Sequence, residues 1–166
     1  MEKVRLIYKD RYFDRSDVSK EKLAAYLLQA VADEINAWFK YMACLNRAVG
    51  HGVPDIAQEF KEHEIEELNH VEKLNARLDE LGVASLTSPT ELLTANYNPY
   101  EAPDTGDVLW MLYSVRKDEE GAIAFYKKVI AFCRDFDPVT AELLISILAD
   151  EEKHLSDINI MLEHEQ

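Results

Sequence analysis

A chain of 166 residues, 48% apolar with five glycines and five prolines, is long enough for one domain and has too few turn formers for a turn-rich β architecture. Its formal charge of -14 argues against the basic face that an electrostatic nucleic-acid binder needs and suits the handling of cations. No apolar run is long enough to span a bilayer, and the opening MEKVRLIYKD lacks the apolar stretch of a signal peptide, so a cytoplasmic protein is expected.

Residues 1–18 read as a solvated N-terminal arm. Through residue 22 the chain carries seven Lys or Arg against five Asp or Glu, a small basic excess. A first bundle helix is expected over 19–49, with Ser19 as cap and Gly50 and Gly52 as its stop. Its apolar stripe is Leu23, Leu27, Val31, Trp38, Tyr41 and Leu45. A second helix is expected over 54–81, opened by Pro54 and closed by Gly82. Ile56, Phe60, Val71, Leu74, Leu78 and Leu81 form its stripe.

A long segment follows, and within it Ser88, Pro89 and Glu91 make a capping-box pattern. A short helix over 89–95 is expected there. A third bundle helix is expected over 107–136, with the stripe Leu109, Leu112, Val115, Ile123, Tyr126, Ile130 and Cys133. A fourth is expected over 138–164, capped by Asp137 and started by Pro138. Short turns join helices one and two, and three and four, so each of these two pairs is an antiparallel hairpin. A helix of ~28 residues spans ~42 Å, a distance the long segment can cover. The expected fold is all-α: one domain over 1–166, a four-helix bundle with one long crossover between helices two and three carrying a short extra helix. Cys44 and Cys133 are isolated and read as small buried apolar residues in a reducing compartment.

Of five histidines, only His70 and His154 have Glu three residues earlier. In a helix that spacing puts Glu67 with His70, and Glu151 with His154, on one face. A lone Glu-x-x-His is weak. Here the helix before each one carries a Glu inside its apolar stripe. Glu34 is followed by Ala37 and Tyr41, and Glu119 by Ala122 and Tyr126. The spacing from Glu34 to Glu67 is 33 residues and from Glu119 to Glu151 is 32, so the ligand pattern is an internal duplication. This register also favours Glu119 over its neighbour Glu120. Buried carboxylates are costly unless paired or metal-bound. Four Glu and two His converging inside a bundle are what a two-metal carboxylate site requires.

This pattern resembles the bacterioferritin and Dps-like branch of the ferritin superfamily, over residues 19 to 165 and with all six ligand positions filled. The resemblance implies a ferritin-like bundle in which Glu34, Glu67, His70, Glu119, Glu151 and His154 bind two iron ions per subunit. It implies Glu67 and Glu151 as bridging carboxylates and Tyr41 and Tyr126 near the metals, where each phenol reads either as a core aromatic with a satisfied hydroxyl or as a hydrogen-bond donor to a ligand carboxylate and a one-electron donor. Haem-binding members carry Met after the helix-two Glu. Here that residue is Leu68, so no haem is expected. Members that build 24-subunit shells add a fifth helix, and the stop at Gln166 favours a 12-subunit homo-oligomer instead. The two cysteines form neither the pair of some Dps-like members nor a rubredoxin-type C-x-x-C.

The implied activity is that of a ferroxidase and iron-storage or detoxification protein, oxidising Fe(II) with dioxygen or hydrogen peroxide. The same ligands suit manganese, leaving a di-manganese catalase or a rubrerythrin-like di-iron peroxidase or oxygenase as the alternative. A Dps-like structural DNA-protecting shell is a further alternative, against which the acidic charge counts. Glu66 and Asp150 each precede a ligand Glu, and read either as solvated neighbours or as acceptors for His154 and His70 across the bundle. His63, four residues before Glu67, reads either as approaching the site or, the reading favoured here, as a partly exposed residue in an acidic helix, where Glu59, Glu62 and Glu66 form a row. Trp38 reads as packing.

Overall fold

A computed structural model describes residues 18–51, 53–95, 100–103 and 106–165. Most of the expected arm (1–17), the expected stop Gly52 and the terminal Gln166 lie outside the described residues. Among the described residues the chain forms α1 (Val18–His51), α2 (Pro54–Glu80), α3 (Pro89–Ala95), α4 (Val108–Cys133) and α5 (Pro138–His164). None of these helices is long and apolar enough to cross a membrane.

Most helix ends follow local chemistry. Pro54 and Pro138 occupy the first turns of α2 and α5, where a missing N–H costs nothing. Asp107 accepts from the backbone N–H groups of Leu109 and Trp110, and Asp137 from that of Thr140. α2 closes through Gly82, whose φ of 70° is in the left-handed region. There Val83 N–H bonds to the Leu78 carbonyl and Gly82 N–H to that of Asp79, both at 2.9 Å. At α3, Ser88 Oγ accepts from Glu91 N–H, while the Glu91 carboxylate accepts from Thr87 N–H.

Three ends differ from expectation. Ser19 is inside the first turn of α1 and does not cap it. Gly50 does not stop α1, which continues to His51. α4 ends at Cys133, because residues 134–136 turn to bring Asp137 into its capping position.

α1 packs on α2 and α4 on α5, and the two hairpins meet through α1 with α4 and α2 with α5. Side-chain pairs set the directions. Tyr41 meets Glu119 and Tyr126 meets Glu34, so α1 and α4 are antiparallel. Glu66 meets His154 and Arg77 meets Asp137, so α2 and α5 are antiparallel. With each hairpin antiparallel, α2 and α4 point the same way and the crossover returns along the bundle. The fold is the all-α, four-helix, single-crossover bundle, with α3 packed on α1.

Among the described residues, the apolar interior consists of two large clusters and a small one, Ala32 with Ala95, where α3 meets α1. One large cluster, with Leu23, Leu27, Leu74, Leu78, Leu144 and Ile147, fills one end. The other, with Cys44, Phe60, Met111, Leu112, Ile158 and Leu162, fills the opposite end. A polar layer lies between them.

Arg77 ties α2 to the start of α5. Its guanidinium donates to both Asp137 oxygens, at 2.9 and 3.0 Å, and to Thr140 Oγ1 at 2.8 Å. Burial opposes ionisation of Asp137, but Thr140 and Arg77 more than offset it and hold the carboxyl below its usual value. Asp137→Ala removes cap and ion pair together. It is expected to cost about 1–2 kcal/mol, read as a lower urea midpoint with unchanged slope. Because the folded value is depressed, this contribution is complete above the unfolded carboxyl value and fades as pH falls through the folded one.

Candidate metal centre

The polar layer gathers one Glu from α1, one from α4, and a Glu-x-x-His pair from each of α2 and α5. Glu34, Glu67, His70, Glu119, Glu151 and His154 are all buried, none more than 3% exposed. They fall into two sets, Glu34–Glu67–His70–Glu151 and Glu67–Glu119–Glu151–His154. Within each set the ligand atoms lie within 4.8 Å of one another. Glu67 and Glu151 belong to both sets, so each carboxylate can span two cations.

Both imidazoles turn Nδ1 inward. His70 Nδ1 is 3.2 Å from Glu34 Oε2, 3.3 Å from Glu67 Oε2 and 3.2 Å from Glu151 Oε1. His154 Nδ1 is 3.2 Å from Glu67 Oε1 and 3.4 Å from Glu151 Oε2. The outer nitrogens face acids from the opposite helix: His70 Nε2 is 3.1 Å from Asp150 Oδ2, and His154 Nε2 is 2.7 Å from Glu66 Oε2. Such partners fix ring orientation and raise ligand basicity. Asp150→Asn and Glu66→Gln are each expected to weaken divalent-metal binding about 10–100-fold, measured by calorimetry, without unfolding the bundle.

The duplication is also crossed. Tyr41 of the first half donates its hydroxyl to Glu119 of the second, and Tyr126 of the second donates to Glu34 of the first. Each phenol thus holds the outer carboxylate of the other half. Burial and the adjoining carboxylates push both phenols well above their ordinary value, so they remain donors.

Without cations the layer is an electrostatic compromise. Burial, with Glu151 and Glu67 nearby, drives Glu34 and Glu119 well above the usual carboxyl range. Burial opposes the charge on both imidazoles, but the carboxylates prevail: His70 is raised, and His154 is pushed up to about 12. Burial also opposes the charge on Glu67, but contacts with Glu34, His154 and His70 hold its value down. Even so, both Glu67 oxygens, Glu151 Oε1 and His154 Nδ1 are buried without a hydrogen-bond partner. Carboxylate oxygens orphaned in this way, with imidazole nitrogens among them, fit divalent cations that prefer oxygen and imidazole ligands.

Glu120, Glu152, Lys153 and Leu68 are exposed. His63, expected to be partly exposed, is fully buried. Asp157 on α5 faces it, and its ring stacks on His154. Burial and the neighbouring His154 lower its value to about 3, so it is neutral. Trp38 is half-buried and meets Phe39 edge-on. Two features have no signature in the sequence. Lys40, 3% exposed, pairs with Asp118 of α4. A cavity of about 400 Å³ between α1 and α4 reaches Glu34, Glu67, Glu119 and Glu151, past Ala37, Gly121 and Phe125.

The fold and this buried carboxylate–imidazole layer define a helical-bundle protein with clusters able to hold metal. The ferritin-like domain family matches residues 24–166, and the chain belongs to that family. It is 28% identical over 153 residues to the DNA protection during starvation protein of Pyrococcus furiosus, covering 87% of this chain and 78% of that one. A dodecameric thioferritin of Bacteroides fragilis, a bacterioferritin-related protein, superposes with a TM-score of 0.84 at 24% identity, over 98% of this chain and 93% of that one. Dps from Thermosynechococcus elongatus superposes at 0.82 with 18% identity, over 87% and 92%. The relatives lie on the Dps and bacterioferritin side of the superfamily.

Proposed function

We propose that this protein is a ferroxidase serving iron storage or detoxification, oxidising Fe(II) with dioxygen or hydrogen peroxide at its central layer. The observation that carries this reading is the sharing of Glu67 and Glu151 between two four-residue sets. Two cations held by the same pair of carboxylates can each give one electron to a common acceptor. With peroxide, two ferrous ions supply two electrons, two protons are consumed, and two waters form.

Ferrous iron is the substrate in this reading, and Glu34, Glu67, His70, Glu119, Glu151 and His154 are its ligands. Glu67 and Glu151 span the pair. Glu34 with His70, and Glu119 with His154, close the two ends. Tyr41 and Tyr126 orient Glu119 and Glu34, and Asp150 and Glu66 orient the imidazoles. Binding of cations displaces the protons that the metal-free layer holds on its imidazoles and outer carboxyls. No haem is part of the proposal.

The assembly proposed is a homo-oligomeric shell of about twelve subunits in the cytoplasm, supported by the dodecameric form of the Bacteroides fragilis neighbour. Cys44 and Cys133 are free and buried, which suits a reducing compartment. Native mass spectrometry before and after aerobic ferrous loading tests the whole reading. A particle of about twelve chains that retains many irons per chain is expected. A dimer that retains no iron beyond the central pair contradicts storage.

The cavity favours one second reading. At about 400 Å³ it has the size of a small-molecule site and opens on the carboxylates. A peroxidase or oxygenase acting on a small organic substrate, with iron or manganese, would use it. Turnover of such a substrate without iron retention would favour that reading.

A further inference from the structure

Beside His154 lies another group of ligand-bearing side chains that the central layer does not use. Glu59 and His63 stand one turn apart on α2, and Asp157 faces them from α5. His63 Nε2 is 3.7 Å from Glu59 Oε1 and 3.6 Å from Asp157 Oδ2. His63 is completely buried, and neither ring nitrogen has a hydrogen-bond partner. A buried polar ring left this way is costly unless something else satisfies it.

The spacing says what would satisfy Nε2. These separations are too long for hydrogen bonds. They are close to the ~3.4 Å between two ligand atoms at ~2.1 Å from a tetrahedral ion. The ring is held in place by stacking on His154, with centroids 4.1 Å apart, and by the edge of Tyr41 at 5.1 Å. Glu59 and Asp157 are 30% and 25% exposed along their side chains, so the group opens to solvent on its outer side. One imidazole with two carboxylates suits a divalent transition metal.

We propose that Glu59, His63 and Asp157 form a third divalent-metal site, distinct from the central pair and lying between it and solvent. Its charged surroundings are Glu62 and Glu66 on α2 and Lys153 on α5. The Lys153 ammonium is 3.1 Å from Asp157 Oδ2 and 3.9 Å from Glu66 Oε2. Lys153 is half-exposed and flexible enough to withdraw when a divalent ion takes its place against Asp157. The site does not depend on oxidation chemistry at the centre.

The test uses the full chain with Co(II) as the probe. Crystals equilibrated with Co(II) are expected to give an anomalous peak bonded to His63 Nε2, besides peaks at the central layer. In the variant carrying Glu59→Gln and Asp157→Asn that peak should vanish while the central ones remain. These near-isosteric changes leave the His63 packing intact. In solution the same variant should lower Co(II) bound per chain from about three to about two. Central peaks at full occupancy with none at His63, or a titration unchanged by the variant, would overturn the proposal. A peak at His63 with an empty central layer would sustain this site and count instead against the ferroxidase reading.

Discussion

Glu67→Ala is expected to abolish metal binding at both central positions and to lower the rate of ferrous oxidation by roughly 100-fold or more, since losing even an outer-shell partner costs 10–100-fold. The reason is topological. Glu67 and Glu151 each belong to both ligand sets, whereas Glu34 serves one set and Glu119 the other. Removing a shared carboxylate damages both positions. Glu34→Ala and Glu119→Ala each leave one four-residue set complete. Anaerobic titration with Co(II) separates the cases: binding at the layer should vanish in Glu67→Ala and fall to about half in either outer variant. Equal losses in all variants would mean that the carboxylates are not shared.

The second large effect is a pH dependence that changes sign of consequence when cations are added. In the metal-free protein the imidazoles are raised, His154 to about 12, and Glu34 and Glu119 are raised as well. Groups raised in the folded state stabilise it fully below their unfolded values and lose that contribution as pH climbs through the folded ones. For the carboxyls the loss begins above about 4.3, and for the imidazoles above about 6.5. The metal-free bundle should therefore be less stable at pH 8 than at pH 6, read from urea midpoints. Cations compete for the same lone pairs, so their binding releases protons and tightens about ten-fold per pH unit for each proton released. Adding Mn(II) at pH 8 should restore the midpoint. A midpoint that rises with pH without metal would contradict this charge state.

Much of this molecule is legible in one pass along the chain, because the informative signals are local. Pro54, Pro138, Asp137 and Gly82 act within a turn of themselves, and each sits where its chemistry places it. The burial of Glu119 and exposure of Glu120 follow from the duplicated register, which a single helix would not reveal. Tertiary effects were not legible. His63 lies between Glu62 and Glu64 in a segment that reads as solvated, and the packing of α5 and of Tyr41 from α1 against it removes the water. The Lys40–Asp118 pair joins residues 78 apart and leaves no periodic trace. That Tyr41 and Tyr126 bond ligand carboxylates was legible, but that each bonds the carboxylate of the other half needs the antiparallel approach of α1 and α4. Ser19 is a good capping residue, yet it lies within the first turn of α1.

The separation of the two large apolar clusters by a charged layer also has an energetic meaning. A bundle built for stability alone would continue leucine through its middle, because buried ionic groups seldom outperform well-packed apolar ones. Keeping six ionisable groups at that level makes sense when cations complete it.

The most direct measurement is anaerobic loading of the protein with increasing Fe(II), followed by stopped-flow mixing with hydrogen peroxide or dioxygen. A fast oxidation phase whose amplitude grows linearly and breaks at about two ferrous ions per chain is the predicted result. Oxidation no faster than in buffer, with no break near that ratio, would contradict a paired-iron centre held by Glu67 and Glu151.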